Sequence, residues 1–500
     1  MSNYEIESVK TSVSISDSQN IISPGAETPD RLRVGTLQYT KAGLITLFFW
    51  LLWGDFCFSL MELVIPSVLP LKLQSLDAPN WLLGMMLSTI PCAVNFMINP
   101  IISLRSDRYR SRWGRRIPFL FFATPFVTLL LISMGYSEAI GKLLHTLLIN
   151  WFPTLTFKST ILVLLAILMV CFQFFNMFIA SVYYYLFNDV VPRAYVARCM
   201  SLFRIVGVAA GSLYNWFVYR YAQTHMPEIF LGAGLLYLVG FMLMCYKVKE
   251  GKYPPPPENI GGKKGIFAAG KTYFQECFTH RFYWYYFLAN AFWQVSGCIA
   301  IFAVFRSLSL GLTLNQLGKI DSVAMLITML LLYPAGILSD RIHPLRVLII
   351  SLVIITLVQP VGFIYLFVDF SPQVVLWITI GLNFILIPAG TLNAAAATPL
   401  YMAILPKERY GQFRSADAMI RSISTIIFGT LAGFFMDALK NLYHNDPFYY
   451  RYIPCWAFLF QIVGMTFFLL LYREWKALGG RDHYVPPNTG VDERLPHGLT

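Results

Sequence analysis

The chain has 500 residues, 57% of them hydrophobic and only 13% charged, with a formal net charge of +12. A soluble domain carries about twice that charged fraction, so a water-facing fold of ordinary composition is excluded. Repeated apolar runs of membrane-spanning length read as transmembrane helices, and the period-two alternation of a membrane barrel is absent.

Met1–Lys41 is polar and lacks apolar periodicity, so it reads as a mobile cytosolic tail. No cleavable signal peptide is expected, because this polar tail comes first. Three spans follow: Ala42–Leu71, Trp81–Leu104 and Ile117–Tyr136. The connector Ser137–Lys158 carries Ile140, Leu143, Leu144, Leu147, Leu148 and Trp151 at helical spacing, which predicts a short helix in the outer interface. Spans four to six are expected at Ser159–Asn188, Met200–Tyr221 and Pro227–Tyr246. The polar stretch Lys247–Arg281, with Pro254–Pro257 and Gly261–Gly262, divides the chain near its middle. Spans seven to twelve are expected at Phe282–Leu310, Thr313–Leu338, Leu345–Phe370, Pro372–Ile404, Phe413–Leu439 and Ile453–Tyr472. The polar tail Arg473–Thr500 closes the sequence.

The predicted fold is therefore all-α and integral to the membrane, with twelve transmembrane helices in two pseudo-symmetric six-helix bundles. Its boundaries are an N-terminal tail (1–41), a first bundle (42–246), a linker (247–281), a second bundle (282–472) and a C-terminal tail (473–500). Even numbering of spans puts both tails on one side. With that side cytosolic, 28 of the 38 Lys and Arg fall in cytosolic segments and 8 fall outside. That asymmetry orients the chain by the positive-inside rule. It also explains the net charge without nucleic acid. The eight cysteines are scattered, most of them within apolar runs, with neither disulfide nor metal spacing. No cofactor, metal site or catalytic constellation is expected, so the chain does not read as an enzyme.

The connector Arg105-Ser-Asp107-Arg108-Tyr-Arg110-Ser-Arg112-Trp-Gly114-Arg115-Arg116-Ile-Pro118 holds six arginines between two apolar runs. Guanidinium groups are too costly for hydrocarbon, so this loop lies at a membrane surface. The pattern resembles the connector after the second helix in the major facilitator superfamily. Arg112–Phe119 is most similar to the sucrose transporters and the related glycoside-pentoside-hexuronide:cation symporters. That resemblance implies alternating access between two bundles. It implies that Asp107 docks near the start of span eleven to close the cytosolic side, within a network of Arg108, Arg112, Gly114, Arg115 and Arg116. A weaker internal copy, Gly336–Arg341, gives Asp340 and Arg341 the mirrored role near span five.

Polar groups at membrane depth each need a reason. On span one, Asp55, Ser59 and Glu62 share a helical face, and Glu62 lies about 10 Å outward of Asp55. A carboxyl there is a candidate proton carrier, because an apolar setting favours its neutral form; a fixed hydrogen bond or ion pair is the alternative. Trp53-Gly54-Asp55 resembles the start of helix one in the glycoside symporters. The chain departs from them by carrying Ser59 where some members carry the cation-binding acid. Their acid pairs on helices two and four are also missing, which favours protons over sodium. On span five, Arg204, Gly211 and Asn215 share a face, and Arg204 could bind sugar hydroxyls, pair with an acid, or latch to the Asp189/Asp107 region.

Further polar stripes mark candidate substrate-facing sides: Ser88, Cys92, Asn95 and Asn99 on span two; Gln173, Asn176 and Asn188 with Tyr183–Tyr185 on span four. Span seven offers Asn290 and Gln294 with Trp284 and Trp293, and span ten offers Asn383, Thr391 and Asn393. Amides offer donors and acceptors together, and aromatic faces stack on sugar rings. Interhelical hydrogen bonding is the competing use of each. Asp417 and Arg421, four apart, are expected to pair.

The expectation is a monomeric, proton-coupled sugar or glycoside symporter, whose partners are its solute, protons and the bilayer. It would sit in a plasma membrane or bacterial inner membrane. The alternatives are another carrier of the superfamily (for an organic anion or a drug) and a sugar receptor that does not transport.

Overall fold

The computed structural model describes residues 32–253, 277–406 and 409–487. The first 31 residues, the Pro254–Pro257 and Gly261–Gly262 part of the linker, and residues 488–500 lie outside the described residues. A two-stranded hairpin, β1 (Arg33–Val34) and β2 (Leu37–Gln38), precedes the helices. The first group of helices is α1 (Lys41–Ser75), α2 (Asn80–Arg108), α3 (Ile117–Gly135), α4 (Ser137–Leu148), α5 (Phe157–Val190), α6 (residues 196–221) and α7 (Met226–Lys247). The second is α8 (Arg281–Ser309), α9 (Leu314–Ile342), α10 (Pro344–Leu366), α11 (Pro372–Ile404), α12 (Tyr410–Leu442), α13 (Pro447–Ala477) and the short α14 (Gly480–His483). Among the described residues, eleven of these are long and apolar enough to cross a membrane. The expected span not among them is the fifth, α6. Its α-helix Val196–Leu213 widens into a π segment at Tyr214–Val218 and ends in a 3-10 turn at Tyr219–Tyr221.

Local chemistry starts and stops the helices. Thr40 and Thr156 accept hydrogen bonds from the backbone of Gly43 and Ser159, capping α1 and α5. Thr313 and Gln316 form a reciprocal capping box on α9. The second span runs one turn beyond its expected end at Leu104, because Arg105 and Arg108 in the last turn complement the C-terminal carbonyls. The first span likewise continues to Ser75, with Lys72 paired to Glu138 at the start of α4. The helix α4 exists as the stripe predicts; Leu143 and Leu147 are exposed, while Gly141 packs on Ile161 of α5. All eight cysteines are free.

The two helix groups meet unevenly. We call the face that carries the arginine connector the inner face and the opposite one outer. One apolar cluster fills the first group and continues into the outer ends of the second through Ile299, Phe302, Phe305, Met436 and Tyr450. The inner part of the second group, including Tyr283, Tyr286, Phe413 and Trp475, packs as a separate cluster. Lipid tails are as apolar as these side chains, so close packing and hydrogen bonds, rather than water exclusion, must hold such a seam. Ser212 Oγ of α6 lies 2.6 Å from Ser322 Oγ of α9. Thr89 Oγ1 of α2 donates to the carbonyl of Ile426 on α12 at 2.9 Å. Gly84 lets α2 approach α12 so closely that an added Cβ would sit 2.3 Å from the Gly429 carbonyl oxygen. Outer closure with inner separation is the result.

Candidate functional site

The site grows from α1. The hydroxyl of Tyr183, wholly buried on α5, donates to the Leu51 carbonyl at 2.7 Å and pins α1 one turn inward of Asp55. Asp55 itself is only 4% exposed and turns toward Gly207 of α6, which also adjoins Ser59. Among the described residues no side chain hydrogen-bonds the Asp55 carboxylate. Two turns outward, Glu62 is exposed; it accepts a hydrogen bond from Asn176 Nδ2 of α5 at 3.3 Å. The next residue, Leu63, lies beside Gly211 of α6, which also adjoins Met325 of α9 in the seam. Tyr184 is within electrostatic reach of Asp55, Glu62 and Arg204 together, which brings these four groups to one side of the first bundle. Arg204 is exposed and makes no ion pair among the described residues.

The second bundle answers with a fixed charge cluster. Asp417 is fully buried and accepts from Arg414 Nη1 at 2.8 Å, from Arg421 Nε at 3.0 Å and from Asn290 Nδ2 at 3.0 Å. Arg414 also lies over the Tyr401 ring, 3.7 Å from its centroid. Two guanidiniums against one carboxylate leave a surplus positive charge on this side. The expected Asp417–Arg421 pair is present, and Asn290 is spent on the same carboxylate.

At the inner face the arginine connector is folded on its own bundle. Arg115 and Arg116 both bind Asp189 at the end of α5, and Arg116 also reaches Ser106 and Asp107. The hydrogen bonds that Arg115 donates to the Asp189 carboxylate hold its guanidinium above even the usual arginine range. Glu250, just past α7, caps α3: its carboxylate accepts from the backbone of Arg115, Arg116 and Ile117 at 2.9, 2.8 and 2.6 Å. Tyr253 donates to the same carboxylate at 3.0 Å, and its ring lies 4.3 Å beneath the Arg115 guanidinium. Gly114 makes this possible. Its φ is +106°, and an added Cβ would come within 2.5 Å of Glu250.

Two helical bundles, a tight outer seam and an arginine loop at the opposite face match a known pattern. A model of the Major Facilitator Superfamily matches residues 139–429, more than half of the chain. The chain belongs to the Major Facilitator Superfamily. Solved structures share its fold at low identity. A bacterial homolog of the human lysosomal transporter Spinster, inward-facing and unoccupied, is 13% identical with a TM-score of 0.63, covering 90% of this chain and 100% of that one. A point mutant of the nucleoside transporter NupG is 11% identical with a TM-score of 0.61, covering 85% and 100%. A D-xylose-proton symporter is 12% identical with a TM-score of 0.59, covering 89% and 99%.

Within this superfamily member the remaining expected site residues divide. Asn95 and Gln294 are exposed, while Gln173, Trp293 and Asn383 are half-buried. Asn99 is half-buried with its side-chain oxygen unpartnered. Asn215 lies in the outer seam, with Nδ2 3.7 Å from Met325 Sδ. Trp293 packs where α8 meets Gly464 of α13. Resemblance gave Asp107 a partner at the start of span eleven; in this structure its ion pair is with Arg116. Arg112 lies over Trp113, and Asp340 and Arg341 are exposed with no ion pair among the described residues.

Sequence reading missed Glu250 and Asp437 altogether. Asp437 of α12 accepts from the Asn80 and Trp81 backbone across the outer seam. The available signal was indirect: α2 begins after Pro79, which offers no side-chain cap, so its orphan N–H groups had to find an acceptor elsewhere.

Proposed function

We propose that this protein is a secondary active transporter that carries a sugar or glycoside together with protons by alternating access. The observation that supports it best is the state of the α1 acids. Glu62 is exposed with a single amide partner, and Asp55 is buried with no hydrogen-bonded partner among the described residues. A carboxylate at membrane depth without a cation is stabilised by taking up a proton. Protonation of Glu62 or Asp55 would remove the charge that opposes re-closure of the inner side, and release would restore it. Asn95, Asn99, Gln173, Asn176 and Gln294 supply the neutral donors and acceptors that a polyol needs.

A second reading, transport of an organic anion, is favoured by one specific observation. Arg204 is exposed without an ion pair, and Arg414 and Arg421 outnumber their shared acid. Counterflow in proteoliposomes decides between them. Labelled sugars should exchange, with uptake driven by an inward pH gradient and indifferent to sodium. Exchange of carboxylate or phosphate solutes, with none of any sugar, would transfer the assignment to the anion reading.

A further inference from the structure

The outer end of the second bundle holds a guanidinium with nothing to bind. Arg306 lies one turn before the end of α8, about 5 Å from its outer terminus. Its side chain carries five N–H donors, yet it makes no hydrogen bond and no ion pair among the described residues, and its buried Nε is unpartnered. It stands 5.3 Å from the Tyr365 ring centroid and close to Gly362, in the crevice where α8, α10 and the start of α13 meet. A second guanidinium reaches the same tyrosine: Arg451 Nη1 donates to the Tyr365 carbonyl at 2.9 Å and to Asp369 Oδ1 at 2.6 Å, while its Nε is also buried and unpartnered. The acid that Arg451 binds is 83% exposed, and among the described residues no acid pairs with Arg306.

Desolvated donors without acceptors are costly, and a guanidinium with no counter-charge more so. The unmet requirement is for one anion with several oxygens, presented in the plane of a guanidinium fork. Phosphate has that geometry. Phe367, beside this crevice, is 83% exposed, which fits a side turned to lipid at the depth where headgroups lie.

We propose that Arg306 and Arg451 bind a phosphate group at the outer membrane boundary, that of a phospholipid headgroup, which clasps the outer ends of α8, α10 and α13. This is independent of the solute and of the α1 acids.

The test uses full-length protein, purified and delipidated in a neutral maltoside detergent, with thermal unfolding as the readout. Short-chain phosphatidylglycerol should raise the midpoint by about 2–4 °C over diacylglycerol of the same chain length. The rise should be lost in R306Q, reduced in R451Q and kept in R281Q at the inner face. If R306Q fails to fold, R306K preserves the charge without the fork and should fold with a smaller lipid response. An equal, Arg306-dependent rise with inorganic phosphate alone would keep the phosphate site and assign it to the free ion. No rise in the wild type, or equal rises in wild type and R306Q, overturns the proposal.

Discussion

The carboxylate of Asp437 caps a helix of the opposite bundle. Its Oδ1 accepts from the Asn80 backbone at 2.8 Å and from Asn80 Nδ2 at 3.0 Å, and its Oδ2 accepts from the Trp81 backbone at 2.8 Å. The cap exists only while the outer ends are together, so its energy belongs to one conformation rather than to the fold as a whole. Replacing Asp437 with Ala should weaken outer closure by about 1–2 kcal/mol, roughly a tenfold change in the closed-to-open ratio. A cysteine placed at Leu83, buried beside this seam, should then react about ten times faster with a membrane-impermeant maleimide. Unchanged labelling would show that the cap does not hold the seam.

A covalent version of the same closure is available deeper down. Ser212 and Ser322 touch through their hydroxyls at 2.6 Å across α6 and α9. The double variant S212C/S322C should form a disulfide under mild oxidation and abolish transport until it is reduced. Retained transport by the fully oxidised protein would mean that these helices do not separate during the cycle.

Coupling is predicted to follow the α1 acids. With Glu62 replaced by Gln, which keeps the Asn176 hydrogen bond feasible, accumulation against a gradient should fall to equilibration, while counterflow stays within about threefold of wild type. Asp55→Asn should behave similarly. Accumulation that persists at wild-type level in both variants would remove proton coupling from these residues.

Gly114 and Glu250 should be linked in stability. Gly114→Ala forces a left-handed backbone on a residue with a Cβ and drives it into Glu250, at a cost of about 1–3 kcal/mol. Glu250→Ala removes the cap of α3, at about 1–2 kcal/mol. Because part of the first cost is the clash, the double variant should be less destabilised than the sum. Strict additivity of the unfolding midpoints in detergent would place the whole Gly114 cost in its backbone.

What could be read from the chain alone were properties that each segment carries by itself. Apolar length gave the spans, Pro372–Ile404 to the residue, and the Lys and Arg distribution gave their expected sense. Arg105–Pro118 gave a surface loop because six guanidiniums cannot enter hydrocarbon. Asp55 and Glu62 stood out because an acid is conspicuous in an apolar run, and Asp417 with Arg421 because four residues is one helical turn. The tertiary structure decided which of these groups meet. It spent Asn290 on Asp417, moved Asn215 into the seam, turned Asp107 toward Arg116, and separated the exposed Glu62 from the enclosed Asp55. It also revealed caps contributed by Glu250 and Asp437 from residues 133 and 357 positions away. Hydropathy and charge act along one helix and leave a periodic trace; the satisfaction of a helix end or a buried charge depends on which neighbour packing delivers, and that is set only when the helices assemble.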